Sequence, residues 1–356
     1  MEKIGTFLKR KNIEISLHRY GIDALGAMAQ GLFCSLLIGT IIKTLGQQTG
    51  TQFLIDIGAY ASAMSGPAMA VAIGYALKAD PMVIYSLAAV GWAANSEGGA
   101  GGPLAVLLIA IIAAEFGKMV SKETMIDILV TPAVTILVGV ALAKLVAPPI
   151  GGAARAFGML IDQATKLQPF WMGIAVSVLV GIALTLPISS AAICTVFGLT
   201  GLAGGAAVAG CCANMVGFAV LSFRENRWSG LISQGIGTSM LQMPNIIRNP
   251  KIWLPAILSS AVTGPLATCL FKLEMNGAPV SSGMGTCGLV GQIGVITGWL
   301  SPSEEAIAKG AVVIVPEAMD WIGLVMISFI LPAVLCWLFG LLFRKIGWIK
   351  DGDLKL

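Results

Sequence analysis

One histidine, His18, is all that 356 residues contain. It stands in a basic N-terminal stretch, where a surface position is expected, so the apolar part of the chain has no histidine for phosphoryl relay. No Walker A pattern and no dinucleotide fingerprint occur, which excludes a chain that burns ATP alone. Charge is scarce too. Asp, Glu, Lys and Arg make up 11% of the residues and hydrophobic types 56%, with a mean hydropathy of +0.88. That balance excludes an ordinary soluble domain. The seven cysteines are Cys34, Cys194, Cys211, Cys212, Cys269, Cys287 and Cys336. None forms a C-x-x-C pair, and the adjacent pair is a poor zinc site. They read as small packing residues, and neither metal nor cofactor is expected.

What is present is apolar sequence in long runs. A transmembrane helix needs about 20 such residues, so the chain has room for about ten segments. The runs are continuous rather than alternating, which argues against a barrel. The expected fold is an all-α polytopic membrane protein with re-entrant or broken helices among its segments. Residues 1–20 read as an amphipathic cytoplasmic segment, with Ile4, Phe7, Leu8, Ile13, Ile15 and Leu17 among Lys and Arg. Residues 21–345 form the membrane domain and 346–356 a cytoplasmic tail. No cleavable signal peptide is evident. Basic residues gather at loops and termini: Lys9, Arg10 and Lys11; Arg224 and Arg227; Arg248 and Lys251; Arg344 and Lys345. Cytoplasmic loops carry that bias, which places both termini inside. A net charge of +4 is weak support for nucleic acid, and none is expected as a partner.

The first span reads as Ile22–Leu45, followed by an uncharged loop and a return from Phe53. Pro81–Ala94 is only about two-thirds of a span. It meets the hinge Asn95-Ser96-Glu97-Gly98-Gly99-Ala100-Gly101-Gly102-Pro103. With Pro103–Val120 this makes either a short helical hairpin or a re-entrant loop plus a helix. Thr124–Ala147 reads as a span broken by Pro132, and Pro148–Gln168 as a polar external segment. Ser229–Asn245, between two basic turns, enters and leaves on one side or lies in the interface.

Ionisable groups in a membrane are costly and mark polar cavities or substrate paths. Non-helical backbone survives there only where protein or water satisfies it. Asn95 and Glu97 in the hinge are therefore candidate substrate contacts, with Glu97 and Glu115 as candidate proton carriers. The bland alternative for Glu97 is a loop at the membrane edge. For Glu115 it is an ion pair with Lys118, three residues on. Glu317, with Asp320, stands just before the last span. Acidic groups beside proline breaks can bind ligands, or simply cap a helix. Gly283–Gly294 has glycines at 285, 288, 291 and 294, with Thr286 and Gln292 as polar contacts. This spacing gives a narrow glycine face on a helix, or a loop whose amides reach a substrate.

A weak echo runs through the chain. Gly91-Trp92-Ala93-Ala94-Asn95 resembles Gly210-Cys211-Cys212-Ala213-Asn214, 119 residues on. Thr131-Pro132-Ala133-Val134 resembles Leu254-Pro255-Ala256-Ile257, 123 residues on. A duplicated half gives such offsets, and matches among small residues also arise by chance. In a duplicated chain, Asn95 and Asn214 would face each other at the repeat interface.

Three stretches carry a family resemblance: Asn249-Pro250-Lys251-Ile252-Trp253-Leu254-Pro255, Thr263-Gly264-Pro265-Leu266-Ala267-Thr268 and Gly283–Gln292. Together with Gly66-Pro67 and Gly101-Gly102-Pro103, they resemble the second type of phosphotransferase-system enzyme IIC. That group includes the regulator of perfringolysin O production. The likeness spans about residues 20–345. It implies a sugar-translocating subunit of the bacterial plasma membrane, usually a homodimer, that works with a separate IIB protein which phosphorylates the sugar.

The sequence thus points to a transporter of a small polar, sugar-like solute. Asn95, Glu97, Asn214, Thr286, Gln292 and Glu317 are its candidate contacts. The alternative is a solute-binding membrane sensor that regulates gene expression without transport.

Overall fold

The computed structural model describes residues 2–356, with side chains from Thr6 onward, so Ile4 of the amphipathic stripe lies outside the described side chains. The described residues form helices and turns, with one isolated β-bridge between Gly201 and Met275. Six helical stretches are long and apolar enough to cross a membrane, or seven with the bent pair Gln52–Ala63 and Ser65–Ala76. Two shorter apolar helices, Pro169–Thr185 and Cys287–Leu300, join them. With the two arms of Pro81–Val120 taken separately, the described residues hold ten apolar segments. This is the all-α polytopic membrane fold.

Residues 1–153 and 154–356 form two compact units. The first is organised by a helical hairpin. Its arms, Pro81–Gly98 and Gly102–Val120, have 18 and 19 residues, about 27 Å and 28 Å of helix. Each arm nearly matches the roughly 30 Å hydrocarbon core. The helix outruns the expected end at Ala94 because Asn95, Ser96 and Glu97 continue it. Polar residues of this kind end a helix only when the backbone finds a better partner, and here tertiary packing holds the turn. The reversal itself needs glycine: Gly99 has φ +51°. A Cβ on Gly102 would sit 2.4 Å from Asn95 Oδ1.

The open end of the hairpin is tied by charge. Ser121 Oγ donates to Asp80 Oδ2 at 2.9 Å, and Lys122 pairs with Asp80. The N-terminal helix Glu2–Arg10 docks at the same end: Arg10 Nη2 reaches Glu123 Oε1 at 2.7 Å, and Lys11 also pairs with Glu123. Hydrogen bonding from Lys122 holds the Asp80 carboxyl below the usual carboxylate range, and Lys11 does the same for Glu123.

The first span is longer than expected, Arg19–Thr49, and ends on Gly50 in the left-handed conformation that glycine adopts without strain. Asp127–Thr165 is one helix of 39 residues that keeps Pro132, Pro148 and Pro149 inside it. The helix is unbroken at Pro132, where the sequence predicts a break, and it runs on through Pro148, past the expected end of the span at Ala147. Packing overrides propensity there, because the hairpin turn lies directly against this stretch. A Cβ on Gly101 would come within 2.8 Å of Ile150 O, and one on Gly151 within 2.5 Å of Gly98 O.

In the second unit, Gly201–Leu221 is the central helix, and sixteen of its residues are buried. Small residues let Pro169–Thr185 and Leu254–Pro265 approach it closely, which is how helices associate where no hydrophobic effect drives them together. Val208, Cys212, Leu273, Met275, Val295 and Trp299 belong to its apolar core. After a kink at Arg227, the chain from Ser229 to Asn245 folds back into this unit through short π and 3-10 turns. Gln234, Ser239 and Gln242 are fully buried there. The C-terminal residues are gripped by the same region. Gln242 Nε2 and Asn226 Nδ2 donate to Leu354 O at 3.0 and 2.7 Å, and Asn245 Nδ2 donates to Lys355 O at 2.9 Å. The Leu354 side chain is fully buried.

Candidate functional site

The sequence-derived contacts are divided between the two units. Within the first unit, Asn95 packs at the corner of three helices, its Nδ2 3.5 Å from Ser65 Oγ. Glu97 sits at the turn of the hairpin and pairs with Lys144 at 2.8 Å, both side chains being partly exposed. Glu115 lies toward the other end, roughly 20 Å along the second arm from the turn. It pairs with Lys118 at 2.8 Å and accepts from Tyr20 OH at 3.1 Å. Lys118 and Arg19 both donate to the carbonyl of Leu77, at 3.1 and 2.6 Å. Glu115 therefore belongs to a buried charge cluster that caps a helix end. Glu97 and Glu115 do not meet.

Asn214 lies in the second unit, on the central helix, fully buried. Its amide nitrogen donates to Gly210 O at 3.0 Å and Ser260 Oγ at 3.2 Å. Its oxygen accepts from Trp253 Nε1 at 3.0 Å and Thr185 Oγ1 at 3.2 Å. All four hydrogen-bonding positions of this amide are filled by protein. The environments of the two asparagines share one feature. A Cβ on Gly66 would meet Gly91 O at 2.4 Å, and one on Gly181 would meet Gly210 O at 2.7 Å. In each unit a glycine–glycine crossing stands one helical turn before the asparagine.

Thr286 and Gln292 come together on another face of the central helix. Thr286 Oγ1 lies 3.6 Å from Met215 Sδ, and Gln292 Nε2 lies 3.3 Å from Cys212 Sγ. Gln292 Oε1 is buried without a protein partner. The glycine run splits between the two readings of its spacing. Gly285 and Gly288 adopt positive φ in turns, whereas Gly291 and Gly294 lie in the Val290–Leu300 helix. Glu317 is exposed and forms a capping box with Asp320, whose Oδ2 accepts from Glu317 N at 2.8 Å.

The structure adds a polar pocket that sequence reasoning missed. It has a volume of about 170 Å³, at the start of the central helix, and is lined by Thr200, Gly201, Glu274, Asn276, Lys309 and Gly310 among others. Asn276 is fully buried and donates from Nδ2 to Glu274 Oε2 at 2.8 Å. Its Oδ1 and the Thr200 hydroxyl have no protein partner. Lys309 reaches over to Gly198 O at 2.6 Å. A buried polar atom left unpaired costs about 1–3 kcal/mol, so two of them beside a carboxylate and an ammonium invite a polar guest. A hydroxyl-rich solute supplies both donors and acceptors to such a set. The one signal in the sequence is Glu274-Met275-Asn276-Gly277 after a span, which reads as an ordinary polar loop.

The model of the family described as phosphotransferase system, EIIC, matches residues 22–356. The chain belongs to this family. Comparison with curated proteins and with solved structures gives no match. As an EIIC protein it is a permease-type membrane component of the phosphotransferase system and works with other components of that system. An EIIC subunit needs a path for a solute through apolar surroundings. Among the described residues of the second unit, the buried side-chain atoms without a protein partner include Thr200 Oγ1, Asn276 Oδ1 and Gln292 Oε1, along with atoms of Glu225, Ser259 and Ser328.

Proposed function

We propose that this EIIC protein carries a sugar or sugar-like solute across the bacterial plasma membrane, as a homodimer with both termini in the cytoplasm. It presents the solute to a separate IIB protein for phosphorylation. The observation that carries the reading is the family match over nearly the whole chain. The pocket at Thr200, Glu274 and Asn276 supports it, because its unpaired acceptors and carboxylate suit hydroxyl groups. In this reading Glu274 accepts from two solute hydroxyls, while Asn276 Oδ1 and Thr200 Oγ1 bond a third. Asn214, whose amide is already satisfied, and Thr286, buried against the Met215 thioether, shape the wall around the path. Asn95 and Glu97 act at the hairpin turn, where Glu97 exchanges Lys144 for solute or proton.

The test is binding followed by flux. Thermal shift on detergent-purified protein with sugars, sugar acids and sugar phosphates is expected to find one stabilising compound. Glu274→Gln should abolish that shift. Uptake of the compound into proteoliposomes then follows, with Glu97→Gln used to read proton coupling from the pH dependence of flux. A compound that binds but never crosses would replace transport with the sensor reading. Stabilisation that survives Glu274→Gln would remove the pocket from the solute path.

A further inference from the structure

A second cavity, of about 420 Å³, lies in the second unit and has a different chemistry. That volume is within the range of about 300–1,000 Å³ for small-molecule sites. The cavity opens where the Gly201–Leu221 and Ala318–Lys345 helices end. Its floor is a close approach of these helices: a Cβ on Gly340 would meet Leu221 Cδ1 at 2.2 Å. Val220, Leu221, Leu231 and Leu341 make the walls apolar. Two tryptophans flank it, Trp228 and Trp337, 68% and 52% exposed. Phe223 braces Trp228 edge-on at 5.5 Å. Arg224 and Arg344 complete the lining.

The two arginines are not equivalent. Arg344 is spent within the protein: it bonds Glu225 Oε1 at 2.8 Å, Asp351 Oδ1 at 2.9 Å and Leu221 O at 3.3 Å. Both neighbouring acids are thereby engaged. Arg224 is exposed and forms no ion pair among the described residues. An apolar slot, a pair of exposed tryptophans and an unneutralised guanidinium stand together at one end of two membrane helices. Tryptophan and basic residues collect at that level because the headgroup region accepts both. Basic pockets between helices hold anionic headgroups there.

We infer that this cleft binds one anionic phospholipid, with an acyl chain along Leu221, Leu231 and Leu341 and the phosphate on Arg224. The guanidinium matches phosphate oxygens with two parallel N–H donors, and the tryptophans cover the glycerol level. The site is separate from the polar pocket at Glu274 and does not depend on which solute the protein carries.

The experiment is a lipid titration of delipidated protein in detergent, read by native mass spectrometry and thermal shift. Phosphatidylglycerol and phosphatidylcholine of the same chains are compared, with glycerol phosphate as the headgroup without chains. The expected result is one phosphatidylglycerol retained per chain and a rise in Tm that phosphatidylcholine does not give. Arg224→Gln should weaken retention about fivefold, the effect of one basic residue on an anionic headgroup. Trp337→Ala should weaken it as well, and both positions are exposed enough for the variants to fold. Equal binding of the two lipids, or unchanged retention in Arg224→Gln, would overturn the assignment. Binding of glycerol phosphate as tight as that of the lipid would show a soluble phosphate site instead. A change from dimer to monomer in Trp337→Ala, with lipid retention unaltered, would assign the cleft to a second copy of the chain.

Discussion

Replacing Gly210 by alanine tests how closely the second unit is packed. Built on the backbone, the new Cβ would lie 1.8 Å from Ser177 O and 2.7 Å from Ser177 Cα. Ordinary contact begins at 3.4 Å, so the two helices must part by about 1.6 Å. Backbone atoms cannot turn aside as a flexible side chain does. Overpacking of this kind costs about 1–3 kcal/mol. Parting also stretches the Thr185–Asn214 hydrogen bond, now 3.2 Å, beyond useful length. It thereby leaves part of a buried amide unpaired, at about 1–3 kcal/mol more. Alanine regains about 1 kcal/mol of helix propensity. The net expectation is a loss of roughly 1–5 kcal/mol. The control is Gly152→Ala, also in a helix, where a Cβ would meet nothing within 4 Å. That change should leave stability unaltered or raise it by up to about 1 kcal/mol. Thermal unfolding in detergent, followed by tryptophan fluorescence, reads both. Equal Tm values for the two variants would refute the packing argument.

Other outcomes follow from the same structure. Asp80 and Glu123 have carboxyls held below their ordinary values of about 3.9 and 4.3, so their contribution is complete above about pH 5 and fades as pH falls through those values toward the folded ones. Wild-type Tm should therefore be flat above that pH and drop below it, and a pH series on Asp80→Asn should show a lower plateau and a shallower acid fall. Leu354→Ala empties a fully buried site in the C-terminal strap and should cost about 2–5 kcal/mol, whereas Lys355→Ala, whose backbone carbonyl rather than side chain is held, should be neutral in the same melt. Glu97→Gln breaks an ion pair whose partners are 37% and 68% exposed, so its Tm should move by less than the equivalent of about 1 kcal/mol even where its flux loses pH dependence.

Some of this was readable in advance and some was not, for physical reasons. Long apolar runs separated by Gly, Pro and charge fix where membrane helices begin, because burying an unpaired backbone in lipid is prohibitive. The count of about ten segments follows from that, and so does a turn somewhere in the glycine hinge, whereas the choice of a hairpin over a re-entrant loop and the turning point at Gly99 come from the structure. The extent of the helices was less legible. Asn95-Ser96-Glu97 and Pro148-Pro149 look like breaks by local preference, yet both stretches are helical because the hairpin turn and the Asp127–Thr165 helix pack on each other. The ion pair of Glu115 with Lys118 was visible as a spacing. Its partners Tyr20 and the Leu77 carbonyl were not, since they come from other helices.

The sequence by itself determined the solvent of this protein, its helical class and its family, since hydropathy and motif order are properties of the chain. Only the tertiary structure decided which polar groups are spent and which are free. Asn214 looks like a ligand contact until four neighbours are seen to satisfy it. Asn276 looks like a loop residue until Thr200, 76 positions earlier, is found beside it in one pocket with its own hydroxyl unpaired. Hydrogen-bond saturation depends on positions in space, and no pattern along the chain records it.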